Sequence, residues 1–344
     1  MLNHNDIYIA SCASWLPENF FPVEKALLEG KYEDKDAKDT AYHSVAVASD
    51  NLYPSEMASC AAKLALKSAG IKGDELASVI YNAIHRHGNP QLWCPASYLQ
   101  SELAAVDAIP LTINQGCNSQ LLSIDVMRKI LLGHDKNYAL AVAADKFSGS
   151  SFDRWRSDYG IVYGDAASAV VLSKVSGIAK ILSLENHFDP ELESLHRLST
   201  EYDEQSSNYQ ELHYLVRLSK KKFMEQYGSE MVMESTRNAM KMLHAKTFES
   251  KRISPDSIKY FIFPNLGKKI LDENYFFISP MAEERSLWEF GRKVGHLGAG
   301  DCITGLTHLI EHKKLSRGDR ILCIGAGSGF SWTFMLLEIT ESFQ

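Results

Sequence analysis

The sequence predicts an α/β protein built from two related halves. Strands and helices alternate in the N-terminal half, and a helix, a polar turn and an apolar strand recur further on at one constant offset. The recurring segments are Cys117–Ala144 and Ala299–Ala326, each followed by another strand, at Ala166–Leu172 and Ser331–Glu338. This self-similarity indicates an internal repeat. Two unrelated strand–helix units in one α/β protein remain the alternative.

The elements of the N-terminal half follow from the spacing of apolar residues. These recur at helical spacing in Pro54–Ala69, and Gly70 is a residue that ends helices. The wholly apolar segment Tyr138–Ala144 is typical of a strand buried on both faces. Further strands are predicted over 6–13, 43–49, 76–83 and 109–114, and further helices over 95–105 and 118–132.

The two predicted halves comprise residues 1–175, which carry the candidate nucleophile, and residues 176–344. A polar, charged region near 185–254 is predicted to be an insertion in the second half, with a long helical stretch near 211–245. Its charges cannot all be buried, so we expect it to form a wall or cap.

The composition excludes several classes of protein. In 344 residues the hydrophobic share is 45% and the charged share 23%, as in soluble globular proteins. No apolar run approaches the roughly 20 residues of a membrane span, and no basic segment precedes an apolar one at the start. A net charge of −7 argues against nucleic acid as the main partner. The six cysteines form no CxxC pairs, which fits reduced thiols and a cytoplasmic location.

Cys117 is the candidate nucleophile. It lies where a predicted strand ends and a predicted helix begins. The amides and the dipole of a helix N-terminus favour negative charge, so a thiol there is shifted toward the nucleophilic thiolate, and the same amides can hold an oxyanion. The alternative is a small buried apolar residue, which is what most cysteines are.

His296 is the candidate proton acceptor, since a thiol nucleophile needs a base nearby. It lies in the loop from Gly295 to Asp301, at the start of the helix that repeats the Cys117 helix. If a pseudo-twofold axis relates the halves, both helix starts point to one centre. A surface histidine in a glycine-rich loop is the alternative.

Two further motifs carry less weight. His85-Arg86-His87 with Cys94 contains metal-ligand types without a fourth ligand at diagnostic spacing, so we predict no metal site. The run from Gly325 to Gly329 suggests a phosphate loop, but a strand follows it where a dinucleotide loop would open a helix.

Five segments match a known pattern in order and spacing: Pro54–Ile71, Cys94–Leu103, Gln115–Asp145, Tyr163–Lys174 and Lys293–Glu338. With them the chain resembles the ketoacyl-acyl-carrier-protein synthase III family of the thiolase superfamily. The resemblance implies a thiolase-like five-layered αβαβα sandwich, a homodimer, and ping-pong transfer of an acyl group through a thioester on Cys117. It implies no bound cofactor. The substrate would be a phosphopantetheine thioester, on coenzyme A or an acyl carrier protein.

The departures from the family pattern concern the partners of the thiol. Family members usually have histidine where this chain has Asn265, and asparagine where it has His296. The resemblance therefore implies a triad of Cys117, Asn265 and His296 with the two partner types exchanged. The loop around His296 looks like that of a divergent subgroup from specialised metabolism, some of whose members form esters or amides.

The resemblance assigns four further sets of residues. The backbone amides of Cys117 and Ser328 would hold the oxyanion. Trp93 and Cys94 would shape the acyl pocket across a dimer interface, where the small Cys94 leaves room for a longer or branched chain. Lys268 and Lys269 would dock an acidic carrier protein, with Lys220–Lys222 as a weaker candidate. The absence of arginine from Tyr32–His43 favours a carrier-bound donor over coenzyme A.

Together these features predict an acyltransferase of the ketosynthase III type. It would act in polyketide- or fatty-acid-type specialised metabolism, by condensation or by ester or amide formation. The rival hypothesis is a non-catalytic ketosynthase-like subunit that pairs with an active one.

Overall fold

The computed structural model describes residues 6–85, 93–148, 152–198 and 216–343. Its strands are β1 (Tyr8–Trp15), β2 (Phe20–Pro22), β3 (Ser44–Ala46), β4 (Leu76–Asn82), β5 (Ile109–Ile113), β6 (Tyr138–Asp145), β7 (Ala166–Ser173), β8 (Ala179–Phe188), β9 (Ile258–Ile262), β10 (Arg320–Gly327) and β11 (Ser331–Ile339). Its α-helices are α1 (Val23–Leu28), α2 (Asp34–Thr40), α3 (Pro54–Ala69), α4 (Pro95–Glu102), α5 (Ser119–Leu132), α6 (Val216–Tyr227), α7 (Ser229–His244), α8 (Lys268–Asn274), α9 (Trp288–Val294) and α10 (Asp301–His312).

The strand topology repeats itself. Hydrogen bonds join the main sheet in the order β5-β4-β6-β7-β1-β8-β11-β10-β9. In the first half β4 runs parallel to β6, and β6 and β1 flank β7 in antiparallel fashion. In the second half β9 runs parallel to β10, and β10 and β8 flank β11 in the same way. The two halves therefore share strand order and direction, which is the predicted internal repeat.

Three apolar clusters define five layers. The central cluster joins α5 and α10 to strands of both halves, through buried residues such as Leu121, Ile124, Ile303 and Leu306. A second cluster packs α3 and α4 against the outer face of the first half. A third packs α7 against the outer face of the second half. The order is helices, sheet, helices, sheet, helices, and α5 and α10 start in the middle of the molecule.

The segment predicted as an insertion differs from expectation in two ways. The strand β8 runs to Phe188, so residues 185–188 belong to the main sheet. The predicted long helix is two helices, α6 and α7, broken at Gly228, whose φ of 88° lies in the left-handed region. Residues 211–215 lie outside the described part of the chain. No helix among the described residues has the length and apolarity to cross a bilayer.

Candidate active site

Cys117 lies in a turn between β5 and α5, two residues before the helix begins. Asn118, the N-cap residue of α5, fixes this turn against the second half. Its Nδ2 donates to Ser331 Oγ at 3.1 Å and to Thr333 Oγ1 at 2.9 Å, both on β11. The nucleophile of one half is thereby positioned by a strand of the other.

Gly116 lets the Cys117 turn approach the hairpin between β10 and β11. Its φ is +58°, and a Cβ there would lie 2.6 Å from the backbone nitrogen of Ser328. Gln115 Nε2 also donates to the carbonyl of Ser328, at 3.3 Å. The structure thus places the turn that carries Cys117 against Ser328, while an oxyanion hole formed by the amides of Cys117 and Ser328 stays a prediction. The run from Gly325 to Gly329 joins two antiparallel strands, which excludes a dinucleotide loop opening a helix.

His296 joins Cys117 to an acidic residue of the second half. His296 Nε2 lies 2.9 Å from Cys117 Sγ, and Nδ1 lies 2.5 Å from Asp301 Oδ2. The backbone of His296 is held between two groups of the first half, since its N–H donates to Val162 and its carbonyl accepts from Gly164. Cys117, His296 and Asp301 therefore form a thiol–imidazole–carboxylate chain.

The charges in this chain stabilise one another. Burial alone would lower the pKa of His296, but the negative charges of Asp301 and Cys117 outweigh it and raise that pKa well above its usual value. Asp301 itself accepts hydrogen bonds from two backbone N–H groups, that of Leu297 at 2.7 Å and that of Asn265 at 2.8 Å. The carboxylate is thus held in position and kept ready to stabilise an imidazolium.

Asn265 does not contact the thiol in the way the exchanged-triad prediction requires. Its Nδ2 donates to Gly295 O at 3.0 Å and to Asp301 Oδ1 at 3.0 Å. An amide nitrogen has two hydrogens, so neither is left for a thioester oxygen. The backbone carbonyl oxygen of Asn265 also accepts a hydrogen bond from the hydroxyl of Tyr42 at 2.5 Å. In this geometry Asn265 positions Asp301, and Asp301 rather than Asn265 is in contact with His296.

Asp145, at the end of β6, fixes the loop that carries His296. It accepts backbone hydrogen bonds from Ile84, His85 and Ala299. Gly298 passes so close that a Cβ there would lie 2.2 Å from Asp145 Oδ2. Burial raises the pKa of Asp145 to about 6, against the lowering effect of these hydrogen bonds. The carboxyl is a structural link between the two halves.

This pKa predicts a pH-dependent stability difference between the native chain and Asp145→Asn. Asp145 loses its proton near pH 4 in the unfolded chain and near pH 6 in the folded one. Its contribution is therefore fully present below about pH 4 and is lost as the pH rises through about 6. We expect the free energy of unfolding of the native chain, relative to Asp145→Asn, to fall by about 3 kcal/mol over this range.

Urea unfolding of both proteins at several pH values between 4 and 7 measures this difference. Asp319→Asn is the matched control, because Asp319 pairs with Lys259 at the surface. A stability difference between the native chain and Asp145→Asn that does not change with pH would contradict the assignment of the pKa.

A cavity of about 310 Å³ opens onto Cys117 and His296. Its volume lies at the lower end of the range for small-molecule pockets, roughly 300–1,000 Å³. The helices α6 and α7 form one wall, through Met224, Val232 and Met233. Ser328 and Phe330 line the cavity from the hairpin between β10 and β11. The charged segment that the sequence predicts to be a wall or cap does line this cavity.

The residues predicted for the acyl pocket and for carrier docking lie elsewhere. Trp93 and Cys94 precede α4 and are not among the residues that line the cavity of this chain; Cys94 is exposed. Lys268 and Lys269, in the first turn of α8, already pair with carboxylates, Lys268 with Asp272 and Glu283 and Lys269 with Asp39. Their charge is therefore partly neutralised. These roles remain predictions.

The histidine-rich motif is only partly described. The ring of His85 packs against Phe147 and Phe152, and its Nδ1 lies 3.0 Å from the carbonyl oxygen of Lys146. Arg86 and His87 lie outside the described residues.

Comparison with known proteins identifies the family. Residues 111–190 match the family model described as 3-oxoacyl-[acyl-carrier-protein] synthase III, and residues 248–339 match its C-terminal model. Together they cover half of the chain and include Cys117, His296 and Asp301. The chain belongs to the 3-oxoacyl-[acyl-carrier-protein] synthase III family. Homologues of this name are acyl-transferring enzymes of the thiolase superfamily, and this chain is an acyltransferase of that kind.

Individual relatives of this synthase III family member cover most of the chain. The β-ketoacyl-[acyl-carrier-protein] synthase III of Clostridium beijerinckii is 26% identical and covers 83% of this chain and 84% of its own. Among solved structures, the acyltransferase ChlB3 is 29% identical with a TM-score of 0.87, covering 98% of each chain. The synthase III of Aquifex aeolicus is 20% identical with a TM-score of 0.77, covering 96% and 99%. These likenesses confirm the predicted thiolase-like fold.

Asp301 is the site residue that the sequence analysis missed. It follows His296 by five residues and is the first residue of α10. An acidic residue in the first turn of a helix is ordinary, because it interacts favourably with the helix dipole. Only the fold shows that a tight loop turns His296 back onto this carboxylate.

Proposed function

We propose that this synthase III family member transfers an acyl group from a phosphopantetheine thioester, through Cys117, to a hydroxyl or amine acceptor. It would serve a specialised biosynthetic pathway in the cytoplasm. In the first step the Cys117 thiolate attacks the donor carbonyl, and the pantetheine thiol leaves with a proton. In the second the acceptor attacks the Cys117 thioester, giving an ester or amide and the free thiol.

The contact chain from Cys117 through His296 to Asp301 is the observation that carries this proposal. A base that is held in one orientation by a carboxylate is suited to taking a proton from an incoming nucleophile. Acylation removes the negative charge of the Cys117 thiolate, which is one of the two charges that raise the pKa of His296. The imidazole is therefore more readily neutral, and able to act as a base, once the acyl group is in place.

The position of Asn265 favours a heteroatom acceptor over decarboxylative condensation. In the family pattern two donors, a histidine and an asparagine, face the thioester oxygen of the malonyl group as it loses carbon dioxide. Here both hydrogens of Asn265 Nδ2 are engaged by Gly295 and Asp301. Of these two family positions, only the one that His296 occupies here remains available to the substrate.

The non-catalytic-subunit hypothesis has less support. A scaffold has no need of a nucleophile, a base and a carboxylate in consecutive contact, and a buried charged triad costs stability. The identity of the donor, the carrier-docking role of Lys268 and Lys269 and the homodimer stay predictions.

Replacing His296 with alanine separates the two steps. We expect acylation of Cys117 to remain detectable, while transfer to small alcohols or amines falls by about 10²–10⁴-fold, the usual contribution of a general base. The measurement is intact-mass spectrometry of the acylated enzyme, with product analysis over time. His312→Ala, which changes an exposed histidine at the end of α10, is the control.

The product decides between the two reaction types. Carbon dioxide released from a malonyl thioester, with a new carbon–carbon bond in the product, would contradict the proposal. Transfer within about threefold of the native rate in His296→Ala would place the base elsewhere.

A further inference from the structure

A polar cluster lies inside the otherwise apolar active-site cavity, on the side of the base. Lys220 of α6 reaches Asp158 Oδ1 at 2.5 Å, and the hydroxyl of Tyr163 donates to Asp158 Oδ2 at 2.9 Å. The ring of Tyr163 in turn packs edge-on against His296, with ring centroids 5.3 Å apart. The contacts run without a gap from the catalytic imidazole to the ammonium group.

Two other polar groups on the same cavity wall lack partners among the described residues. Two buried atoms, Oδ1 of Asn274 and Nε2 of His196, make no hydrogen bond with any described residue. Buried polar atoms are nearly always satisfied, so each such atom calls for an explanation, such as a water molecule or a ligand. Both atoms belong to residues that line the cavity containing Cys117.

The balance of charges and hydrogen-bonding groups points to a neutral ligand with several hydroxyl groups. Asp158 cancels the charge of Lys220, so an anionic ligand gains little net attraction. An ammonium group has three donor hydrogens, of which one suffices for Asp158. Asn274 Oδ1 needs a donor, whereas Lys220 needs an acceptor. Hydroxyl groups both donate and accept hydrogen bonds, and the ligand needs at least two of them because it must reach both Asn274 and Lys220.

We propose that Lys220, Asn274 and His196 form the recognition site for a neutral, polyhydroxylated acceptor that fits, with the acyl group, into the cavity of about 310 Å³. This inference rests on the proposed function. The cluster lies next to His296, the group that must receive the proton of the attacking hydroxyl. An acceptor held there presents one hydroxyl to the imidazole and the others to the cluster. The apolar residues of the cavity, such as Met224 and Val232, then remain for the acyl chain.

Two alcohols of similar size test this site. Methyl α-glucoside carries several hydroxyl groups, whereas cyclohexylmethanol carries one on an apolar ring. With Cys117 acylated beforehand, we expect the native enzyme to esterify the glucoside more efficiently. Lys220→Met should lower kcat/KM for the glucoside by about tenfold or more, and Asn274→Leu by about fivefold, and each loss should be larger than the loss with cyclohexylmethanol.

Two further variants control for charge and folding. Lys221→Met changes the neighbouring lysine, which is exposed and lies outside the cavity lining, and should have no effect. Lys220→Met leaves Asp158 without its positively charged partner, which destabilises a buried carboxylate. The double variant Asp158→Asn/Lys220→Met keeps the charge balanced and should show the same loss with the glucoside.

Four results would overturn the inference, and they are distinguishable. Equal losses with both alcohols would make the cluster structural. Slower acylation of Cys117 in Lys220→Met or Asn274→Leu with acyl-coenzyme A as donor, but not with an acyl N-acetylcysteamine thioester, would show that the cluster binds the pantetheine arm of the donor. Esterification of cyclohexylmethanol without any preference for the glucoside removes the inference but leaves the proposed function. Failure to esterify either alcohol, with Cys117 acylated, counts against transfer to hydroxyl groups as such.

Discussion

Asp301→Asn is expected to slow acyl transfer by about 10³–10⁴-fold. In a serine–histidine–aspartate triad the same change costs about 10⁴ in kcat, because the imidazole is left in the wrong tautomer. Here the Asp301 carboxylate accepts hydrogen bonds from His296 Nδ1 and from the backbone N–H groups of Asn265 and Leu297. An asparagine has one acceptor oxygen, which can face only some of these donors, and it cannot stabilise an imidazolium with a full charge.

The pH profile of this variant distinguishes a catalytic role from loss of structure. Asp301 is one of the charges that raise the pKa of His296. Its removal lowers that pKa, so the alkaline rise in transfer rate should move to lower pH in Asp301→Asn even as the maximum rate falls. Single-turnover kinetics across pH measure both effects, with Asp319→Asn as the control. A native rate and a native profile together would remove Asp301 from the triad.

Cys117→Ala is expected to abolish the acyl-enzyme and to lower turnover by at least about 10⁴-fold, because no other group replaces a lost nucleophile. The thiol is only half-buried, so we expect the variant to stay folded. Intact-mass spectrometry after incubation with an acyl thioester should show no added acyl mass. Circular dichroism and thermal unfolding check the fold.

Cys94→Ala is the matched control for this experiment, since Cys94 is also an accessible cysteine. It should retain one acyl adduct per chain. An adduct of native mass that persists in Cys117→Ala would assign the nucleophile to another residue.

The sequence predicts well those elements whose pattern is local. The helix Pro54–Ala69 is observed with the predicted bounds, and Gly70 ends it in the left-handed conformation with φ 68°. Its start is equally local, since Pro54 at the first helical position has no N–H to satisfy. By contrast, β8 is absent from the prediction. Its residues alternate irregularly between buried and half-buried positions, because it joins the two halves of the sheet.

The site residues also divide into those that a local sequence pattern predicts and those that it does not. Cys117 and His296 could be proposed because each lies at the start of a helix in a repeated unit, and the structure brings them to 2.9 Å. The partner of Asn265 could not be predicted, since its contact with Asp301 joins residues 36 positions apart through a loop. The polar groups of the cavity, from Asp158 to Lys220, meet only because α6 folds back over the site.

The starts of α5 and α10 also show how the two topologically equivalent units differ. At the offset that aligns Cys117 with Ala299, the first residue of α5, Ser119, is equivalent to the first residue of α10, Asp301. The hydroxyl of Ser119 ties the incoming loop to its helix, donating to Gly116 O and accepting from Gln115 N, both at 2.6 Å. Asp301 ties its own loop in the same way but carries a charge. At the first helical position one unit therefore has a neutral hydroxyl that only holds its loop, while the other has a carboxylate that holds its loop and also contacts His296.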